Sequence, residues 1–399
     1  TCAYETWTSA GATALDAARR AGDAAGSANI HVSLGHACME SGSFAAALRH
    51  GQAALAHATA AGWCEGTTWS LAVMGWAYGF IGETRAAVAA LERAAHIARS
   101  NELRDPLPLL AATVHLGDAR LYGGELAAAE AHYEDVLRHT TDDGDKLFRG
   151  LALLGLGTAC RYAGALDRAM DHLESAIQQL DSISAQSGHA EALAMLSLAH
   201  HDAGRDLTAR RIGERAVGSA LERRESGKIP VALISLAATY ERTGPATTAP
   251  DLYAQALAAA RDANRPFQEI EALCGLARAR LRSGQPDVAL AHARTALDLG
   301  RDDEWLVQAG MIHTTLAQTY LAHEDTAAAV RHAHRAIEIT DRAGARLCRA
   351  HALRVLGDAL HESGGTAAAH QAWQEATGLY SAIGAPEAED LARRMTRAC

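Results

Sequence analysis

Residues 29–60 read NIHVSLGHACMESGSFAAALRHGQAALAHATA, and five positions of this stretch return down the chain: Leu34, Gly35, Gly42, Ala47 and Ala54. The same phrase recurs as Met74, Gly75, Gly82, Ala87, Ala94, then after a two-residue slip as Leu116, Gly117, Gly124, Ala129, Val136, and again as Leu156, Gly157, Gly164, Ala169, Ala176. It continues from Leu196-Ser197, Leu236-Ala237, Leu276-Ala277, Leu316-Ala317 and Leu356-Gly357, giving nine copies with a period near 40 residues. Self-similarity at this interval marks a solenoid, in which no copy buries its apolar face alone and stacked neighbours share a continuous core.

Each copy reads as two helices. Between Asn29 and Glu40, residues Ile30, Val32, Leu34, Ala37 and Cys38 fall at helical spacing, and Ser41-Gly42 stops the helix. A second helix is expected from about Ser43 to Ala60, with Ala47 and Ala54 two turns apart on one face. The small Gly35 and Ala47 are expected to let the two backbones approach as an antiparallel hairpin. Two copies depart from the pattern. Glu324 stands at the turn-glycine position of the eighth, which predicts a looser turn or loss of the left-handed residue. In the sixth, Pro245 suits a helix start, while Pro250 near the end of the first turn predicts a delayed or kinked second helix.

A period of 40 residues also suits HEAT or armadillo repeats, so the internal intervals decide. Leu-small, Gly seven residues on, Ala five further and Ala seven beyond that resembles the tetratricopeptide repeat. The resemblance implies an all-α fold, a right-handed superhelical solenoid of about nine hairpins over residues 28–381, with capping helices at 1–27 and 382–399. Ala14 falls where the second alanine of an earlier copy would stand, so residues 3–21 read as a second helix lacking its partner. With no initiator Met, the chain is expected to be a piece of a longer protein. Pro386 is expected to open a polar capping helix through about Thr396.

The chain is 49% hydrophobic but only 5% aromatic, so its core must be built mainly of alanine and leucine. A net charge of −10, with Lys146 and Lys228 the only lysines, argues against gripping a phosphate backbone, which needs clustered cations, and no direct nucleic-acid binding is expected. Seven scattered cysteines without a CxxC read as unbridged thiols of a reducing cytosol. No signal peptide and no membrane-length apolar run is present, so a soluble cytoplasmic protein is expected, with no membrane contact.

Catalytic motifs are missing: there is no GxSxG, Walker A or dinucleotide fingerprint. Gly155-Leu156-Gly157 repeats with the array and reads as packing, and the pairs Asp142-Asp143 and Asp302-Asp303 read as solvated loops. His200-His201-Asp202, His332 with His334, and Cys348 with His351 lack the paired histidines and glutamate of a helical zinc site and read as solvated helix surface. The expectation is a non-enzyme with no cofactor, no metal and no catalytic residue.

In tetratricopeptide arrays the first helices line the concave face. Carried onto this chain residue by residue, that register gives Trp69, Val73, Trp76 and Phe80, then Val114, His115 and Tyr122, then Leu151, Leu154, Arg161 and Tyr162. Later copies give Glu191, His201, Asp202, Glu241, Arg242, Arg278, Arg282, Arg354 and Asp358, so the groove is aromatic early and charged late. The expected contacts to a ligand or partner are Trp69, Val73, Trp76, Phe80, His115, Tyr122, Leu154, Arg161, Tyr162, Arg242, Arg278 and Arg282. For the tryptophan cluster two readings stand side by side, a binding patch or bulk packed between helices. The lysine and asparagine clamp by which some relatives hold a terminal carboxylate is absent, because Val32, His36 and Val73 stand there.

The stretch Ala352-Leu353-Arg354-Val355-Leu356-Gly357-Asp358-Ala359-Leu360, followed by Trp373-Gln374-Glu375-Ala376 and Gly384-Ala385-Pro386-Glu387-Ala388, resembles the C-terminal arrays of actinobacterial AfsR-like regulators of the SARP and STAND classes, related in architecture to MalT. The resemblance implies a sensor that binds a protein, a peptide or a small-molecule inducer in its groove. It also implies intramolecular contacts with NTPase and DNA-binding domains outside this chain. The alternative is a freestanding scaffold or peptide-binding adaptor without a regulatory NTPase.

Overall fold

The computed structural model describes residues 2–141, 145–183, 188–245, 247–300 and 304–398, with side chains described from 7 to 396 within those ranges. Asp142, Asp143, Asp302 and Asp303 lie outside the described residues, as do the side chains of Cys2 and Cys399. Twenty helices follow one another among the described residues, with no strand. They fall into two compact units: Thr1–Leu121 with Ala127–Gly155, and Tyr122–Leu126 with Leu156–Cys399.

The first unit is built from α1 (Cys2–Ala21), α2 (Ala24–Glu40), α3 (Phe44–Ala60), α4 (Cys64–Ile81), α5 (Thr84–Ser100), most of α6 (Leu107–Tyr122) and α7 (Leu126–His139), and the start of α8 (Lys146–Ala163). Helix α1 packs on α2, α2 pairs with α3, and α4 pairs with α5. Asp23 caps α2 by accepting a hydrogen bond from the Gly26 amide at 2.8 Å, which satisfies one of the amides a helix start leaves unpaired. The alanines of the phrase are sealed: Ala47, Ala54, Ala87 and Ala94 have no exposed surface, and around the last two close Leu71, Leu91 and Leu116.

The second unit contains the end of α8, then α9 (Leu166–Ser182), α10 (His189–Asp202), α11 (Asp206–Glu222), α12 (Ile229–Thr243), α13 (Thr248–Asp262), α14 (Pro266–Arg282), α15 (Pro286–Leu299), α16 (Leu306–Ala322), α17 (Thr326–Arg342), α18 (Arg346–Glu362), α19 (Thr366–Ile383) and α20 (Glu387–Ala398). Hairpins form within α10–α11, α12–α13, α14–α15, α16–α17 and α18–α19. The first helices also touch one another in series, α10 with α12, α12 with α14, α14 with α16 and α16 with α18, and so make one wall. At the far end α19 carries the capping helix α20, one residue later than Pro386.

Small residues do permit close packing, but a glycine's nearest neighbour varies. A Cβ on Gly75 would lie 2.4 Å from Leu91 Cγ, and one on Gly157 the same distance from Leu173 Cγ, so there the following helix fills the space. On Gly35 the nearest atom would be Val73 Cγ1 of the next hairpin at 2.7 Å, with the Ala47 carbonyl farther off at 3.7 Å. Gly35 thus serves stacking between hairpins more than closure of its own.

The two irregular copies behave differently. Glu324 keeps the left-handed turn, with φ of 61°, and its amide and that of Asp325 bond the Leu321 and Tyr320 carbonyls, each at 3.0 Å. The expected loosening does not occur, because the two turn hydrogen bonds outweigh the steric cost of about 1–2 kcal/mol for a side chain in this region. In the sixth copy Gly244 is extended, with φ −102° and ψ 172°, and α13 starts only at Thr248. The delay expected from Pro250 is present, whereas Pro245 sits in the connection and does not open the helix.

Candidate ligand-binding cavity

A cavity of about 480 Å³ opens inside the second unit. Its wall is drawn from six consecutive first helices: Arg161 and Tyr162 of α8, Met195, Leu198, His201 and Asp202 of α10, Ile234, Ala238, Glu241 and Arg242 of α12, Glu271, Arg278 and Arg282 of α14, Met311, Thr314, Thr315 and Gln318 of α16, and Leu347, Cys348, His351 and Arg354 of α18. Tyr253 of α13 and Glu387 of α20 complete it. Side chains four residues apart share a helix face, which is why Leu198 with Asp202, Ala238 with Arg242, Arg278 with Arg282 and Met311 with Thr315 enter as pairs.

The charges are held by one another. Arg161 Nε donates to Asp202 Oδ2 at 2.6 Å, and Asp202 raises the basicity of the guanidinium against the opposing effect of burial. Arg278 donates to Glu241 at 3.4 Å and to the Tyr253 hydroxyl at 3.2 Å, while burial holds the Tyr253 phenol protonated, well above the ordinary range. Arg242 donates to the His201 carbonyl at 3.0 Å, to Asp206 at 3.3 Å and to Glu387 at 3.1 Å. Arg354 reaches Asp358 at 3.2 Å, which also accepts from Arg394 at 3.0 Å and the Trp373 indole N–H at 3.0 Å.

Two groups are shifted by burial across the useful range. The Glu271 carboxyl is pushed up to about 7, against the pull of Arg161, and His351 is pushed down to about 3 and stays neutral. Burial likewise raises the Cys348 thiol to about 11, so it is not a thiolate at neutral pH. Among the described residues no group of three or more His, Cys, Asp or Glu is placed to hold a metal ion, and Cys38, Cys64, Cys160, Cys274 and Cys348 form no disulfide.

Of the residues expected from the sequence, Arg161, Tyr162, Arg242, Arg278 and Arg282 line this cavity together with His201, Asp202, Glu241 and Arg354. Tyr122, also in the second unit, instead stacks on Phe267 at 4.1 Å, and Phe267 meets Trp305 at 4.6 Å. Trp69, Val73, Trp76, Phe80, His115 and Leu154 belong to the first unit. There Trp76 stacks on His115 at 4.7 Å, Phe80 on Phe44 at 4.7 Å, and His36 sits against both Trp69 and Trp76, while Val73 and Leu154 are buried.

The histidine reading needs correction. His200 and Asp202 are buried, His201, Asp202, Cys348 and His351 face the cavity, and His332 is engaged with buried His313 at an Nδ1 to Nδ1 distance of 2.9 Å. These side chains are not solvated surface, whereas His334 is exposed, as expected from the sequence. Glu271, Met311 and His351 were missed, although they repeat the register of Glu191 at intervals of 40 residues. Glu387 carries no such signal, since it belongs to the cap.

The comparisons agree with this architecture. The tetratricopeptide repeat family matches residues 229–302. The regulatory protein AfsR of Streptomyces griseus is 28% identical over 268 residues, a match covering 60% of this chain and only a quarter (25%) of that protein. Among solved structures, a Rap conjugation gene regulator in complex with a Phr peptide is similar with a TM-score of 0.57 and 13% identity, covering 74% of this chain and 79% of that one. A Rap protein complexed with competence and sporulation factor gives 0.55 and 14%, covering 84% and 98%. No described helix is long and apolar enough to cross a membrane. The chain is a tetratricopeptide-repeat array that resembles part of an AfsR-type regulator.

Proposed function

We propose that this chain is the sensor region of a larger STAND-type transcriptional regulator and that it binds its effector in the cavity of the second unit. The observation that carries the reading is the convergence of six first helices on one cavity in which Arg161, Arg242, Arg278 and Arg354 are held by internal pairs. A preorganised wall of this kind lowers the ordering cost of binding. The AfsR likeness supports the regulatory context, and the similar fold of a Rap regulator solved with a Phr peptide supports a small partner. Effector binding would favour one state of the full regulator through its differential affinity, biasing the NTPase domain that lies outside this chain. In this reading the rings of the first unit serve as packing.

The test is native mass spectrometry of the protein incubated with the small-molecule and peptide fraction of a cell extract, followed by hydrogen exchange of the complex. Slowed exchange in α10, α12, α14 and α16 is expected. Protection confined to α2–α6 would move the effector to the aromatic run around Trp69 and Trp76 and overturn the assignment.

A further inference from the structure

The cavity's charge balance runs opposite to that of the whole chain. The chain carries 37 basic and 47 acidic residues, whereas the cavity is lined by five arginines (Arg161, Arg242, Arg278, Arg282, Arg354) and four acids (Asp202, Glu241, Glu271, Glu387). The acids are committed. Asp202 is held by Arg161, Glu241 by Arg278 and Glu387 by Arg242. Glu271 is only about half ionised at neutral pH, because burial favours its protonated form and raises it to about 7.

Polar groups of the lining are left over, Arg282 and Gln318 among them. Among the described residues Arg282 makes no ion pair and Gln318 makes no hydrogen bond, and each faces the same space from adjacent helices α14 and α16. Arg282 lies one turn beyond Arg278, on the same face, and is exposed towards solvent. Apolar Met195, Leu198 and Ile234 line the same cavity.

We infer that the effector is a compact amphipathic acid: a carboxylate taken by Arg282, a polar group bonded by Gln318, and an apolar body against Met195, Leu198 and Ile234. This rests on the cavity being the effector site. A guanidinium pairs a carboxylate with two parallel hydrogen bonds, so the geometry favours a planar anion over a single-point charge. The volume of about 480 Å³ limits the ligand to a small organic acid or the last few residues of a peptide.

The experiment incubates the purified chain with a mixed-sequence tripeptide library bearing free carboxyl termini, with the same library amidated, and with decanoate, and reads retained species by native mass spectrometry. Free acids should be enriched about tenfold over amides, the discrimination of one good ion pair. Arg282→Gln, a substitution at an exposed site, should bring that ratio close to one. Retention of decanoate alone would identify a small organic acid, and retention of free tripeptides a peptide terminus. Equal retention of acid and amide, with exchange slowed around α14, would overturn the carboxylate class while leaving the site in place. Acid enrichment with protection only in the first unit would overturn the site itself. Failure to retain any of the three probes would also overturn the carboxylate class.

Discussion

Trp76 in the first unit and Arg278 in the second stand at the same place in their copies, two residues after Met74 and Leu276. Trp76 lies flat against His115 of the next first helix and, with Phe80 and Ala77, packs on Cys38, Met39 and Phe44, so its ring is taken up by contacts with neighbouring side chains. Arg278 is tied sideways to Glu241 and Tyr253, and the space in front of it remains open. One backbone register can thus end in a plug or in a chamber. A large planar side chain satisfies itself by contact, whereas a charged one is satisfied only by specific partners, and those partners hold it back against the wall.

The most severe test of that contrast is Arg161→Ala. It strands Asp202, whose side chain is only 10% exposed, and should cost about 3–5 kcal/mol in chemical denaturation, because a buried carboxylate loses its partner. A drop below about 1 kcal/mol would mean the pair is solvated and the chamber less enclosed than described. Trp76→Ala should cost about 2–3 kcal/mol, towards the low end for a large side chain since the ring is only partly buried, and should leave effector affinity unchanged. A large loss of affinity in that variant would place an effector site in the first unit.

Glu271 sharpens the comparison through pH. Its folded value of about 7 lies above the ordinary 4.5, so its contribution to stability is full below the unfolded value and is lost as pH rises through about 7. Melting measured at pH 5 and pH 8 should therefore show Glu271→Gln gaining on the parent protein at the higher pH, by about 1–2 kcal/mol after allowing for partial solvent access. His351, lowered to about 3, acts in the opposite sense and weakens the fold as pH falls below 6.5, which is why the difference between variant and parent is the quantity to read. The smallest effect is expected at Glu324→Gly, a gain of up to about 1 kcal/mol as the left-handed turn loses its side-chain strain, partly offset by the entropy of glycine.

The hairpins were legible because Leu, Gly and Ala at fixed intervals are themselves the packing. Ala169, Ala209, Ala249, Ala289, Ala329 and Ala369 mark where second helices meet first ones, and all six are buried. The delayed start of α13 could likewise be read from a single proline. The persistent turn at Glu324 could not, since it depends on carbonyls whose geometry the whole hairpin sets. Part of the chamber was visible as register, from Arg161 to Arg354, but the burial of His351 and Glu271 depends on side chains of neighbouring repeats. No local pattern records that. Glu387 lay outside any periodic argument.

The end of α19 and the start of the cap do more than close the last hairpin. Ile383 rests where a side chain on Gly164 would stand, 2.6 Å from its Cβ position, Pro386 lies 3.0 Å from that of Gly204, and Glu387 holds Arg242. These contacts join the ninth copy to the fourth, fifth and sixth, so the tally of copies between them is fixed by fit. An inserted or deleted hairpin would carry Glu387 past its arginine, and the chamber would lose its end wall. An array that grows freely by duplication in principle is, in this stretch, restricted to a single length.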